Sequence, residues 1–70
     1  MRALASSRLR GQVAEYDDHA GVGEVEADGR RFWFHCTQLL DGTRHAEPGQ
    51  AVTFRVVPGP TGRWEAADIA

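Results

Sequence analysis

Asp28-Gly29 stands between two alternating runs, and no other dipeptide constrains the fold of this chain as tightly. A two-residue hairpin loop needs backbone in the left-handed region, which Asp and Gly tolerate at little cost. Residues 21–27 before it read as one strand, and residues 30–36 after it read as the returning strand. Neighbours along a strand point to opposite faces. Phe32 and Phe34 therefore share one face, while Trp33 and His35 share the other.

The rest of the chain extends this pattern. Leu9, Gly11 and Val13 alternate with Arg10, Gln12 and Ala14, which predicts a first strand ending at the polar turn Asp17-Asp18-His19-Ala20. Thr37-Gln38-Leu39-Leu40 lacks a period of two and reads as one helical turn with Thr37 near its start. Residues 41–50, with Asp41-Gly42 and Pro48-Gly49, read as a long loop. Val52, Phe54 and Val56 mark a fourth strand, Pro58-Gly59-Pro60-Thr61-Gly62 breaks it, and residues 64–69 form a fifth. Five short strands in so short a chain predict an all-β, five-stranded antiparallel barrel, because closure hides sheet edges. Val13, Val25, Phe32, Phe34, Val52, Phe54, Val56 and Ile69 are expected inside, with Leu39 closing one end. Residues 1–7 are expected to be a flexible tail, and residues 8–70 the domain.

Seventy residues make one small domain. A single cysteine, Cys36, rules out an internal disulfide. Ten acidic residues against eight arginines give a net charge of -2, whereas strong phosphate binders are usually basic. No segment has the apolar length of a membrane span, and Met1-Arg2-Ala3-Leu4-Ala5-Ser6-Ser7 has no signal-like apolar run, so a cytoplasmic protein is expected. Catalysis finds no constellation. His35 and Cys36 are strand neighbours expected on opposite faces, and His19, His35 and His45 lack ligand-like spacing with a second cysteine. Ser6 and Ser7 fall in the expected tail. No enzymatic role, cofactor or metal site is expected.

A longer pattern runs through the strands. Arg10-Gly11-Gln12-Val13, Gly21-x-Gly23-x-Val25, Phe32-Trp33-Phe34-His35, Asp41-Gly42, Gly49-Gln50-x-Val52-x-Phe54-x-Val56 and Glu65-Ala66-Ala67-Asp68-Ile69 follow one another at nearly regular family spacing. In their order and spacing they resemble the bacterial cold-shock protein family, over residues 10–69, as a divergent member. The resemblance implies an OB-fold barrel that binds single-stranded RNA or DNA through exposed aromatics. Residue by residue, the aromatic platform is depleted. The family's first-strand Trp falls on Glu15 and the adjacent Phe on Tyr16; its second-strand aromatics fall on Val22 and Glu24. In the third strand its Phe falls on Trp33, its His on His35 and its next Phe on Cys36; the loop Phe falls on Thr43 and a first-strand Lys on Ala14. Ala20 takes the basic position before the glycine pair.

Tyr16, Trp33 and His35 survive, and Trp64 is an additional aromatic. With Arg10, Arg31, Arg44 and Arg63 they form the candidate nucleic-acid site. Each residue also has a plainer reading: Trp33 caps the barrel surface, Tyr16 and Trp64 pack at strand ends, and His35 is a solvated strand residue. Stacking contributes roughly 1–3 kcal/mol per base, so the loss of several platforms implies weak binding. The alternative is an OB-type protein-interaction module whose Glu15 and Glu24 face a basic partner.

Overall fold

The structure is a computed structural model that describes residues 8–70; the tail expected at residues 1–7 lies outside the described residues. Its strands are β1 (Leu9–Asp17), β2 (Val22–Ala27), β3 (Arg30–His35), β4 (Ala51–Pro58) and β5 (Trp64–Ala67). The β2–β3 hairpin forms where Asp28-Gly29 demanded it. Asp28 and Gly29 have φ of 54° and 73°, the left-handed pair that matches strand twist. Register follows from that turn: Ala27 faces Arg30, Val25 faces Phe32, Glu24 faces Trp33 and Val22 faces His35.

β1 serves two neighbours. Leu9 to Gln12 pair with β4, and Gln12 to Asp17 pair with β2. Its register shifts between Val13 and Glu15, where Ala14 is an extra residue that bends the strand. At the bend, Val13 exchanges backbone bonds with the end of the long loop, its N–H donating to Gln50 and its carbonyl accepting from Gly49.

The strands close in the order β1-β2-β3-β5-β4, an architecture consistent with an OB-like fold. One seam departs from the antiparallel expectation: β3 and β5 are parallel, meeting at Trp33 and Glu65. The reason is arithmetic. Each antiparallel contact reverses direction, and an odd number of reversals cannot return to its start, so a closed ring of five strands needs a parallel seam. β1, β2 and β3 run up, down and up; β4 pairs antiparallel with β1, and β5 antiparallel with β4. β5 must then run alongside β3 in the same direction.

The expected core is present. Phe34, Phe54, Val13 and Val25 are fully enclosed, Phe32 lies 5.7 Å from Phe54 between ring centroids, and Val52 and Ile69 are buried. Val56 packs half-buried against them. Ala27, Cys36, Ala46, Ala66 and Ala67 join the core without having been expected there. Gly23 is needed for closeness: a Cβ there would meet the Glu15 carbonyl at 2.5 Å and the rings of Tyr16 and Phe34 at 2.9 Å.

The helical turn is a 3-10 turn, Cys36–Gln38, starting slightly earlier than expected because the His35 side chain caps it. It hands the chain to Leu39, which bridges Ile69 and closes the barrel end. β5 stops at Ala67, since Asp68 takes a φ of 50° before the Ile69 bridge.

Phe34→Ala removes a side chain with no exposed surface from the centre of this packing. The expected cost is about 3–5 kcal/mol, most of the stability of so small a domain. Urea denaturation followed by circular dichroism should show a truncated folded baseline or none.

Candidate functional site

The hairpin register and the parallel seam place Glu15, Glu24, Trp33 and Glu65 in successive register across four strands. Arg31 lies two residues before Trp33 on the same face of β3. Its Nη1 donates to Glu15 Oε2 at 2.9 Å and to Glu24 Oε1 at 3.1 Å. The bond to Glu24, then that to Glu15, pushes the guanidinium above its already high ordinary range. The two glutamates expected to form a bare acidic face are therefore bridged by one cation.

Trp33, half-buried, borders two shallow clefts of opposite character. On the β1–β2 side, Glu15, Asp17 and Glu24 line a cleft of about 220 Å³ with Tyr16 and Val22. On the β5 side, Arg30, Arg31 and Arg63 line one of similar volume with Trp64 and Glu24. Both are smaller than the 300–1,000 Å³ typical of enclosed small-molecule sites, so each offers a ledge for a flat ring. Trp64 is 59% exposed. Beyond it, Arg30, Phe32, Val56 and Trp64 form a third shallow hollow, with the Arg30 guanidinium 6.0 Å from the Phe32 ring centroid.

Trp33, Trp64, Arg31 and Arg63 are thus brought together, and Arg30 belongs with them although the sequence reading passed it over. The signal was available: Arg30 pairs with Ala27 across the turn, and so sits at the hairpin's end beside Arg31. Arg10 lies elsewhere, on a β1–β4 surface with Thr53 and Ala70.

Tyr16 follows the packing reading. Its ring stacks on Phe34 at 5.8 Å and 11°, and its hydroxyl donates to the Arg44 carbonyl at 2.6 Å. Partial burial, with the nearby Cys36 and Asp18 adding to it, raises the phenol above its ordinary range. Arg44 consequently meets Tyr16 through its backbone, at a φ of 60°.

His35 is exposed but committed on one side. Its Nδ1 accepts from the Thr37 N–H at 3.2 Å and lies 3.0 Å from Thr37 Oγ1. Accepting at Nδ1 leaves the proton of the neutral ring on Nε2, a donor towards solvent. His35 is exposed and Cys36 buried, as alternation predicts, but the backbone turns at Cys36 and brings the two side chains together. The Cys36 Sγ lies 3.8 Å from His35 Nδ1, and the thiol is buried against Gly21.

The sequence reading also missed a clamp between loops. His45 Nδ1 lies 2.7 Å from Asp18 Oδ1, and its Nε2 lies 2.6 Å from Glu47 Oε2. An imidazole that donates from both nitrogens is an imidazolium, and the two carboxylates, Asp18 foremost, raise its pKa. The ring also meets Tyr16 edge-on at 6.0 Å. Asp18 and His45 are 27 residues apart, so no local spacing announces the contact.

Among the described residues, no group of three or more His, Cys, Asp or Glu side chains is placed to hold a metal ion, and no helix is long and apolar enough to cross a membrane. No family model matches the chain, and no curated protein matches it.

The His45 clamp has a defined pH signature. A folded-state pKa raised above the unfolded value stabilises the fold fully below the ordinary imidazole range, near 6.5, and loses that contribution as pH rises through the elevated value. The His45 ring-proton NMR shift should titrate with a midpoint above 6.5. In His45→Gln this pH-dependent part of the stability should disappear, leaving a flatter profile as pH rises above 6.5.

Proposed function

We propose that this protein binds single-stranded RNA or DNA on the outer face of β3, as a divergent cold-shock-like barrel. The observation that carries the reading is the convergence of Trp33 and Trp64 with Arg30, Arg31 and Arg63 around one exposed cleft. Indole faces stack on unpaired bases irrespective of sequence, and guanidinium groups meet both phosphates and ring faces. A strand paired on both sides presents Trp33, so no backbone has to be ordered when a base lands on it. His35 Nε2–H adds a donor on the same face, two residues further along β3.

Weak binding follows from the same geometry. Arg31 is already held by Glu15 and Glu24, so a phosphate must compete with two carboxylates for it. Tyr16 is engaged with Phe34 and the Arg44 carbonyl and contributes at most an exposed edge. The bridge to Arg31 also argues against the protein-contact alternative, since Glu15 and Glu24 are not a free acidic patch awaiting a basic partner.

Titration of labelled single-stranded oligonucleotides, read by fluorescence anisotropy at two salt concentrations, tests the proposal. Trp33→Ala should fold and lose about 5- to 150-fold in affinity, the equivalent of one stacked base. Absence of binding by the native protein at low salt would reject the reading in favour of the protein-contact alternative. A second variant probes the competition at Arg31. Glu15→Gln with Glu24→Gln should bind more tightly and steepen the log–log salt slope by about 0.7, the contribution of one further phosphate contact.

A further inference from the structure

The β3–β5 seam is the weakest line of the barrel and the most chemically equipped. Its two parallel strands share a single register pair, Trp33 with Glu65. β5 begins only at Trp64, so Arg63 precedes the strand while Arg31 and Arg30 continue along β3. The cleft between Trp33 and Trp64 lies at the start of β5, on the side of the seam away from the Leu39–Ile69 bridge.

Trp64 is presented firmly. Its backbone pairs with Pro58 at the end of β4, and the Gly59 N–H donates to the Arg63 carbonyl at 2.7 Å, tightening the preceding turn. Yet the side chain remains largely exposed, bordering the cleft on one side and the hollow over Phe32 and Val56 on the other. An indole fixed at its base and open to solvent presents a flat face on which a base can stack.

Cations flank it without being spent. Arg31 and Arg55 are paired with carboxylates, but Arg30 and Arg63 make no ion pair among the described residues. Residues 1–7 contain no Asp or Glu that could supply one. Arg30 borders the openings on both sides of Trp64, and Arg63 immediately precedes it.

We infer that Trp64, Arg30 and Arg63 form a second nucleotide subsite, so that a single strand of at least two nucleotides crosses the β3–β5 seam with one base on Trp33 and the next on Trp64. Arg30 and Arg63 hold the phosphates on either side of the second base. This inference rests on the nucleic-acid reading above and adds to it the route of the strand: away from Glu15 and Asp17 and over the seam, where Arg30, Arg31 and Arg63 outnumber the one carboxylate lining the cleft, Glu24. The 2′-hydroxyl is not needed for either contact, so RNA and DNA strands both occupy the site.

The test compares native protein, Trp33→Ala, Trp64→Phe, Trp64→Leu and the pair Arg30→Gln with Arg63→Gln. Each is titrated with eight-nucleotide uridine RNA and thymidine DNA, after urea denaturation has established its stability. Trp64→Phe should retain most of the affinity. Trp64→Leu, which keeps an apolar cover over Phe32 and Val56 but cannot stack, should lose about 5- to 150-fold. The arginine pair should flatten the salt slope by about 1.4, two phosphates' worth. If native protein binds and Trp33→Ala does not, while Trp64→Leu and the arginine pair bind as native, the second subsite is wrong and the parent reading stands. If native protein binds neither oligonucleotide, both fall. Equal losses in Trp64→Phe and Trp64→Leu at native stability would also reject stacking at Trp64.

Discussion

A ring of five strands cannot be antiparallel at every contact, and the consequences of that parity run through this structure. The chain concentrates the unavoidable exception at one place, β3 against β5, and limits it to a single register pair. Parallel pairing is slightly weaker per residue, so a short seam gives up little stability. What it creates is an opening. The β1–β2, β2–β3, β1–β4 and β4–β5 contacts each extend over several register pairs, whereas β3 and β5 share one, and the segments that follow them meet again at the Leu39–Ile69 bridge. The cleft with two tryptophans and three arginines lies at that opening. The site proposed for nucleic acid is thus a by-product of closing the barrel.

The other constraint is room. Gly23 lets β2 approach Tyr16 and Phe34 closely, and the bulge at Ala14 turns β1 so that one strand joins both halves of the ring. Gly23 therefore has a packing role. Tyr16 follows from it, since a ring lying over Gly23 and stacked on Phe34 has one face already occupied.

The hairpin and the core were legible because they depend on local information: a turn dipeptide, a period of two and large apolar residues in phase. All eight residues expected inside are buried or packed against the core. The parallel seam was legible too, but only by counting reversals around a closed ring, a global property that strand-by-strand reading does not consult. Cys36 keeps the buried side that alternation gives it, but it begins a 3-10 turn and does not end β3, and the turn brings its thiol within 3.8 Å of His35 Nδ1. The His45 clamp and the Arg31 bridge were hidden for a different reason. They join residues 27, 16 and 7 positions apart, and only the fold brings them together. Of the candidate site, the aromatic positions Trp33 and Trp64 were readable as residue types, while their shared cleft was not.

Net charge is a poor guide to such a surface. Glu15 and Glu24 are bridged by Arg31, Asp18 and Glu47 by His45, and Asp68 by Arg55, so five of the ten acidic residues have a cation in contact. At physiological ionic strength the field beyond about 8 Å is largely screened. A phosphate at the proposed seam site would therefore respond to Arg30 and Arg63 far more than to the overall charge of -2. Stacking and charge then divide the proposed affinity unequally as salt rises. Cation–phosphate contacts weaken with each increment of salt, whereas indole–base stacking is much less sensitive to it. With only two unpaired arginines at the seam, the electrostatic share is small to begin with. On the proposed reading the tryptophans, placed on either side of the one contact the ring could not make antiparallel, carry most of the affinity that remains at physiological ionic strength.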